Sequence, residues 1–431
     1  MTDIPPIIAS SQQSATPVSS QERNHVLDVL RGFALLGILL VNMALFSWPV
    51  YYLFSGVGVG SGPTDKIVDW VVRFFAEGKF YPLFSLLFGI GMVMQMQRAE
   101  ERGVSFPRLH IRRMLALLGF GVVHAFFIWE GDILMLYALL GLVLVAFRKC
   151  KPKTLAIWIA LCLPVPIVIY GGLWVLMTLL SFAPGEEGRV NMEIAKWLAS
   201  QHELGAQNIE VFANGTLGEV MLQRIKNALY IYSMSFIYAP VVFAMFLAGL
   251  YAGRRGILKN PGEHLPLFRR ILVFGLCVGV PGNVLLVAAH HFTIVGGEMS
   301  WSWSVAFSVA LAVGCPALML VYVSAIVLLF QRESCRGKLM LLAPVGRMAL
   351  SNYLLQSIVC TTLFYSYGLG FYGSVGRAAG VVLAVVIFLL QIPLSRWWLS
   401  RFQFGPAEWL WRSVTYRRRQ PMRRAVSTAA I

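Results

Sequence analysis

Stretches of about twenty mainly apolar residues recur along most of this chain, and about twenty residues of α-helix cross the ~30 Å hydrocarbon core of a bilayer. Inside lipid a backbone must satisfy its own hydrogen bonds, and long uninterrupted apolar runs do so as helices. The composition agrees. Of the 431 residues, 58% are hydrophobic and 13% charged, and the mean hydropathy is +0.69, so there are too few polar side chains to cover a soluble body of this size. The chain therefore reads as an all-α, polytopic membrane helix bundle.

Ten candidate spans follow in order: Val29 to Val50, Phe80 to Met96, Met114 to Trp129, Ile133 to Phe147, Thr154 to Phe182, Ala228 to Tyr251, Ile271 to His290, Ser302 to Phe330, Pro344 to Tyr367 and Ala378 to Leu394. Pro164 and Pro166 predict a kink in the fifth, and Pro316 predicts a bend in the long eighth. Lys and Arg in short loops prefer the cytoplasm. Of the 36 such residues, 26 fall in one alternating set of loops and tails, 8 in the other, and Arg31 and Arg347 lie inside spans. Both termini are thus expected in the cytoplasm, and the net charge of +16 faces membrane lipids at the inner leaflet and not nucleic acid.

Residues 1–24, rich in Ser, Gln and Pro and without a cleavage signal, read as a disordered cytoplasmic tail, 25–400 as the bundle and 401–431 as a basic interfacial tail. The segment 183–226 reads as an external loop with an amphipathic stretch from Asn191 to His202. Ile67 to Ala76 reads as an amphipathic turn or two on the outer interface. In the tail, Glu408 and Arg412 are expected to pair across one helical turn, with Trp409 and Trp411 in the headgroups. Gly249 to Gly253 and Gly275 to Gly279 have the small-residue spacing of closely packed helices. The six cysteines are scattered without a paired motif or a His at ligand spacing, so no metal site is expected.

Polar groups inside spans carry the functional signal, because lipid makes them costly. Asp28 and Arg31 share a face of the first span, with Asn42 three turns further on and nearly in line. Glu77 and Lys79 precede the second span on the same outer side as Glu130 and Asp132. This charged ring would either bind a polar headgroup or sugar, or lock the outer ends of spans two to four. Trp129 beside it would be an interfacial anchor or a sugar-stacking platform. In the ninth span Asn352 and Gln356 stand one turn apart, either tying helices together or forming a polar site at the bundle centre.

Five motifs in order resemble the YeiB-type bacterial inner-membrane proteins, the domain-of-unknown-function 418 family. They are LDVLRGFALLGILLVN with Arg23 ahead of it, FFAEGKFYPLFSLLFGIG, HAFFIWEGDILMLYALLG, GRMALSNYLLQS and FGPAEWLWRSVTY. This resemblance covers nearly the whole chain and implies a multi-pass protein of the bacterial cytoplasmic membrane. The pattern Leu27, Asp28, Leu30, Arg31, Gly32, Ala34 alone is also similar to the start of the transmembrane acyltransferases, which modify cell-surface sugars with acyl groups brought from the cytoplasm. Many of those carry a catalytic His eleven residues after the Arg, where this chain has Asn42. The branch resembling heparan-alpha-glucosaminide N-acetyltransferase has Asn there and a later His, where this chain has Leu53.

Under that resemblance the base must come from another helix, and His124, at a depth close to Asn42, is the candidate. Glu130 or Asp132 would hold its tautomer. Asp28 and Arg31 would organise the entrance of a donor such as acyl-CoA, with no cofactor permanently bound, Arg347 would pair with Asp28 or receive the donor phosphates, and Asn42 and Gln356 would orient groups near the midplane. The acceptor would be an envelope glycan or lipid. The competing readings are a permease for a small polar solute, with the same stripe lining its path, and a membrane protein without turnover. No motif specifies an oligomeric state.

Overall fold

The structure, a computed structural model, describes residues 24–53, 60, 62–181, 188–295 and 298–423. The N-terminal tail, most of the loop after the first span and the last eight residues lie outside them. The chain runs through α1 (His25–Ser47), α2 (Pro63–Phe75), α3 (Phe80–Glu101), α4 (Phe106–Val123), α5 (Leu134–Leu144), α6 (Pro152–Cys162), α7 (Val165–Ser181), α8 (Arg189–Asn214) and α9 (Leu217–Arg254). It continues through α10 (Leu265–Thr293), α11 (Trp301–Val309), α12 (Cys315–Phe330), α13 (Glu333–Leu339), α14 (Ala343–Arg347), α15 (Ala349–Phe364), α16 (Arg377–Arg401) and α17 (Pro406–Tyr416). One two-residue ladder, Ile294–Val295 with Glu298–Met299, is the strand pairing among the described residues.

Eight segments are long and apolar enough to cross a membrane, and α15, at 16 residues, is apolar but shorter. With the 11-residue α5, these account for the ten spans expected. The break between α6 and α7 falls at Pro164, as the prolines predict. Ahead of Pro316 the helix widens into a π-helical turn, Ala310–Gly314. α6 and α7 sit at the periphery and present Ile157, Leu161, Val168 and Leu179 outward, as a surface in lipid requires.

α1 is the axis. Leu27, Leu30, Ala34, Leu35 and Leu39 are buried around it, and it packs against α3, α14, α15 and α16. A close crossing is α3 on α9, where Gly89 meets the backbone of Phe246 to Leu250 and Gly249 meets the Leu86 carbonyl. A side chain at either position would meet main chain, so glycine permits the approach. Gly275, Gly279 and Gly282 of α10 bring that helix equally close to α12 and the turn before it.

Two segments differ from their sequence reading. The described part of 183–226 is not a loop: it is the 26-residue α8 followed by the start of α9. The periodicity continues past His202, and Leu198, Gln201, Asn208 and Phe212 form one buried stripe. α2 is amphipathic as expected but turned with Asp65, Asp69 and Arg73 toward the bundle. Ile67, Trp70, Val71 and Phe75 are exposed, while Asp69 pairs with Arg73 at 2.6 Å and with Arg377 of α16 at 3.1 Å. Asp65 accepts from the Ala378 N–H at 2.9 Å, which places a carboxylate at the positive end of α16.

Candidate functional site

α1, α3, α4, α5, the α14–α15 junction and α17 converge toward the end of the bundle that the charge distribution assigns to the cytoplasm. They enclose a cavity of about 270 Å³. Its mouth carries the guanidinium groups of Arg31, Arg113, Arg347 and Arg412, with Glu408 as the carboxylate of the lining. Further in, the wall is Leu35, Ile38, Leu87, Phe88, Met114, Leu117, Ile133 and Leu134, and it ends at Tyr137 and Tyr353. A basic mouth leading to an apolar interior suits an anionic headgroup carrying an apolar arm.

Two features hold the mouth. Arg31 pairs with Asp28 at 3.1 Å, one turn back on α1. α17 is docked against α4 and α15. Trp411 donates its indole N–H to the Arg113 carbonyl at 2.8 Å, and the Arg113 guanidinium lies 3.7 Å over that ring. Glu408 accepts from the backbone N–H groups of Leu350 at 2.7 Å and Ser351 at 3.1 Å, and from the Ser351 hydroxyl at 2.5 Å. The carboxylate thus caps the first turn of α15 from another helix. Burial pushes the Glu408 carboxyl up from its ordinary range, against the pull of the Ser351 and Leu350 donors. These contacts add to the sequence reading of the tail: Glu408 also serves the start of another helix, and the Trp411 indole is tied to a carbonyl. His110, also in the lining, holds the Gly141 carbonyl through Nε2 at 3.0 Å, while its buried Nδ1 has no hydrogen-bond partner among the described residues.

Beyond the inner end of the cavity lies His124. It opens a π-helical turn, His124–Ile128, in which the Trp129 N–H reaches back to the His124 carbonyl at 2.7 Å. The imidazole is fully buried. Its Nδ1 lies 2.8 Å from Asp132 Oδ1 and its Nε2 lies 2.8 Å from Ser357 Oγ of α15. Asp132 Oδ2 accepts from the Tyr232 hydroxyl at 3.0 Å and the Met135 N–H at 2.8 Å. The Tyr353 ring, which closes the cavity, lies 5.0 Å from the imidazole. Ser–His–Asp geometry therefore sits one aromatic ring beyond a basic-mouthed cavity.

The sequence candidates divide among six places. Arg31 and Arg347 line the mouth, with Asp28 paired to the first. His124 and Asp132 form the buried pair. Asn352 and Gln356 face α16: Asn352 donates to Val345 O at 3.1 Å and Ser395 Oγ at 2.9 Å, and Gln356 donates to Gln391 Oε1 at 2.8 Å, so both serve as helix ties. Asn42, half-buried, lies one turn beyond Ile38 and outside the lining.

Glu130 belongs to a separate network on the outer side, accepting from Asn227 at 3.2 Å and Tyr365 at 3.0 Å. Burial pushes the Glu130 carboxyl up. Glu77 pairs with Arg73 at 2.7 Å, and the fully buried Lys79 donates to the Arg73 carbonyl at 2.6 Å; these two brace α2 and form no ring with Glu130 and Asp132. Trp129 is neither interfacial nor a platform, being fully buried with its ring 4.0 Å from Phe46. Ser357, His110 and Arg113 carry no functional reading in the sequence. The legible signal for Ser357 was its position one turn after Tyr353, on the face adjoining the Asn352–Gln356 stripe.

Residues 252–418 match the family described as protein of unknown function (DUF418). The chain is 39% identical over 425 residues to the uncharacterized protein YxaH of Bacillus subtilis, spanning 95% of this chain and 98% of the relative. It is 31% identical over 407 residues to the uncharacterized protein YeiB of Escherichia coli, spanning 93% and 98%. A 39.9 kDa protein encoded in the amylase 3' region of Bacillus acidopullulyticus is 28% identical over 410 residues, spanning 94% and 97%.

Proposed function

The chain belongs to the DUF418 family of YeiB-type membrane proteins, and from that premise we propose that it is an acyltransferase of the bacterial inner membrane. It takes an acyl group from an anionic cytoplasmic thioester donor such as acyl-CoA and passes it to a hydroxyl or amine of an envelope glycan or lipid. The observation that carries this reading is the adjacency of three parts: four arginines and an apolar wall lining one cavity, and the His124–Asp132 pair against its Tyr353.

Each part supplies a separate requirement. The arginines neutralise donor phosphates, the apolar wall takes the arm that carries the acyl group, and His124, oriented by Asp132, removes a proton from the attacking nucleophile. Tyr353 separates the two compartments and keeps water from the cytoplasmic side away from the acyl group.

The test is untargeted mass spectrometry of envelope lipids and glycans from deletion and complemented cells. The wild-type gene restores one component heavier by one acyl group. His124→Ala and Arg113→Ala, present at equal levels in the membrane, do not. Full restoration by His124→Ala would refute the assignment, and altered solute flux without any mass change would identify a permease instead.

A further inference from the structure

We propose that Ser357 is a nucleophile that carries the acyl group as an ester between donor and acceptor. This rests on the acyl-transfer reading above and adds a covalent intermediate to it. A carboxylate accepts hydrogen bonds and donates none, and both Asp132 oxygens are engaged as acceptors, Oδ1 by His124 and Oδ2 by Tyr232 and Met135. The imidazole proton is therefore on Nδ1, and Nε2 faces Ser357 Oγ at 2.8 Å as an acceptor. The other partner of that hydroxyl, the Tyr353 carbonyl, is more distant at 3.3 Å. These are the relations by which a Ser–His–Asp set activates a hydroxyl, recognised by geometry and not by order in the chain.

In the first half-reaction the Ser357 oxygen attacks the thioester carbonyl and Nε2 takes the hydroxyl proton. The tetrahedral adduct then expels the thiolate, which takes the proton back from the imidazolium. A carbon–oxygen bond has replaced a carbon–sulfur bond, and His124 is neutral again. In the second half the acceptor hydroxyl gives its proton to Nε2 and attacks the Ser357 ester. That ester bond breaks, and Ser357 recovers its proton. The two half-reactions use opposite sides of one buried residue. A donor from the cytoplasmic cavity and an acceptor from the outer side thus never need to occupy the site together. The Tyr353 ring lies between the cavity and His124, and donor access follows its rotation.

The test uses the full-length protein in lipid nanodiscs, treated with an alkyl fluorophosphonate and with diisopropyl fluorophosphate, and peptide mass spectrometry to place the adduct. Ser357 Oγ displaces fluoride from phosphorus, so the reaction reports the nucleophile without any acyl donor. Wild type is expected to label on Ser357, and Tyr353→Ala to label at least as fast. Asp132→Asn and His124→Ala, with unchanged elution and melting profiles, are expected to label about 10²- to 10⁴-fold more slowly. No adduct on Ser357 in wild type and in Tyr353→Ala, or labelling indifferent to His124→Ala, overturns the proposal. Labelling of Ser357 without transfer of labelled acetyl from acetyl-CoA leaves the nucleophile standing and removes the donor reading. Acyl transfer at the wild-type rate in Ser357→Ala does the reverse.

Discussion

Glu408→Ala should release the C-terminal helix. In the folded protein this carboxylate satisfies two backbone donors at the start of α15 and one hydroxyl. Each donor orphaned in a buried position costs about 1–3 kcal/mol. Rearrangement of water and of the Ser351 rotor will recover part of this, so the expected loss is about 2–4 kcal/mol, or roughly 30- to 700-fold in the opening equilibrium. The loss should be local, since α17 contacts only the cytoplasmic ends of α4 and α15 strongly. Hydrogen–deuterium exchange of the 406–416 amides should accelerate by that factor, while α3 and α9 keep their protection.

Glu408→Gln retains an acceptor oxygen for the Leu350 and Ser351 amides and should recover most of the protection. The pH dependence has a defined sign. Because burial raises the docked carboxyl, the docked helix binds a proton more readily than the released one. Docking is therefore strongest below the ordinary glutamate range and weakens as pH climbs through the raised value, and Glu408→Gln should flatten that slope. Unchanged exchange in Glu408→Ala, or a Gln variant as loose as the Ala variant, would refute the capping argument.

Two further outcomes are expected. Gly249→Val, placed against the Leu86 carbonyl, should cost about 3 kcal/mol or more and deplete folded protein in detergent, whereas Gly172→Val, with open space around it, should melt within about 1 °C of wild type; thermal melting followed by size exclusion distinguishes them. Glu130→Ala leaves Asn227 and Tyr365 without their shared acceptor and should loosen the outer start of α9 and the end of α15 by about 2–4 kcal/mol, read by hydrogen exchange, while leaving fluorophosphonate labelling of Ser357 at the wild-type rate.

Hydropathy made the spans legible because lipid imposes one rule on every residue of a crossing helix, and Pro164 and the glycine pairs of α9 and α10 act through their own backbone. His124 stood out for a similar reason, as an ionisable ring in an apolar run. What stayed hidden depends on direction. Glu130 and Asp132 lie two residues apart, and only the π-helical turn at His124–Ile128 and the reversal after it decide that Asp132 returns to the imidazole while Glu130 turns to Asn227. The amides of Asn352 and Gln356 drew attention to one face of α15, although the adjoining face carries Tyr353 and Ser357. Glu408 has an attractive partner one turn away in Arg412, and nothing in the spacing discloses the distant amides at the start of α15 that it also serves.

The inward charges of α2 have a consequence for how the protein is made. Asp65 and Asp69 find their partners at Ala378 and Arg377, and the first of these contacts spans 313 residues of sequence. At about 5–20 residues per second, a ribosome finishes α2 roughly 15–60 s before those partners exist. Until then Asp69 has only Arg73 of its own helix as a partner, and Asp65 lacks the Ala378 amide. The finished seam, with Asp65 and Asp69 on α16 and Trp70 and Phe75 outward, forms only with α16 in place. An early helix thus completes its contacts only when a late one arrives, and the bundle cannot close at this seam until nearly the whole chain has been delivered to the membrane.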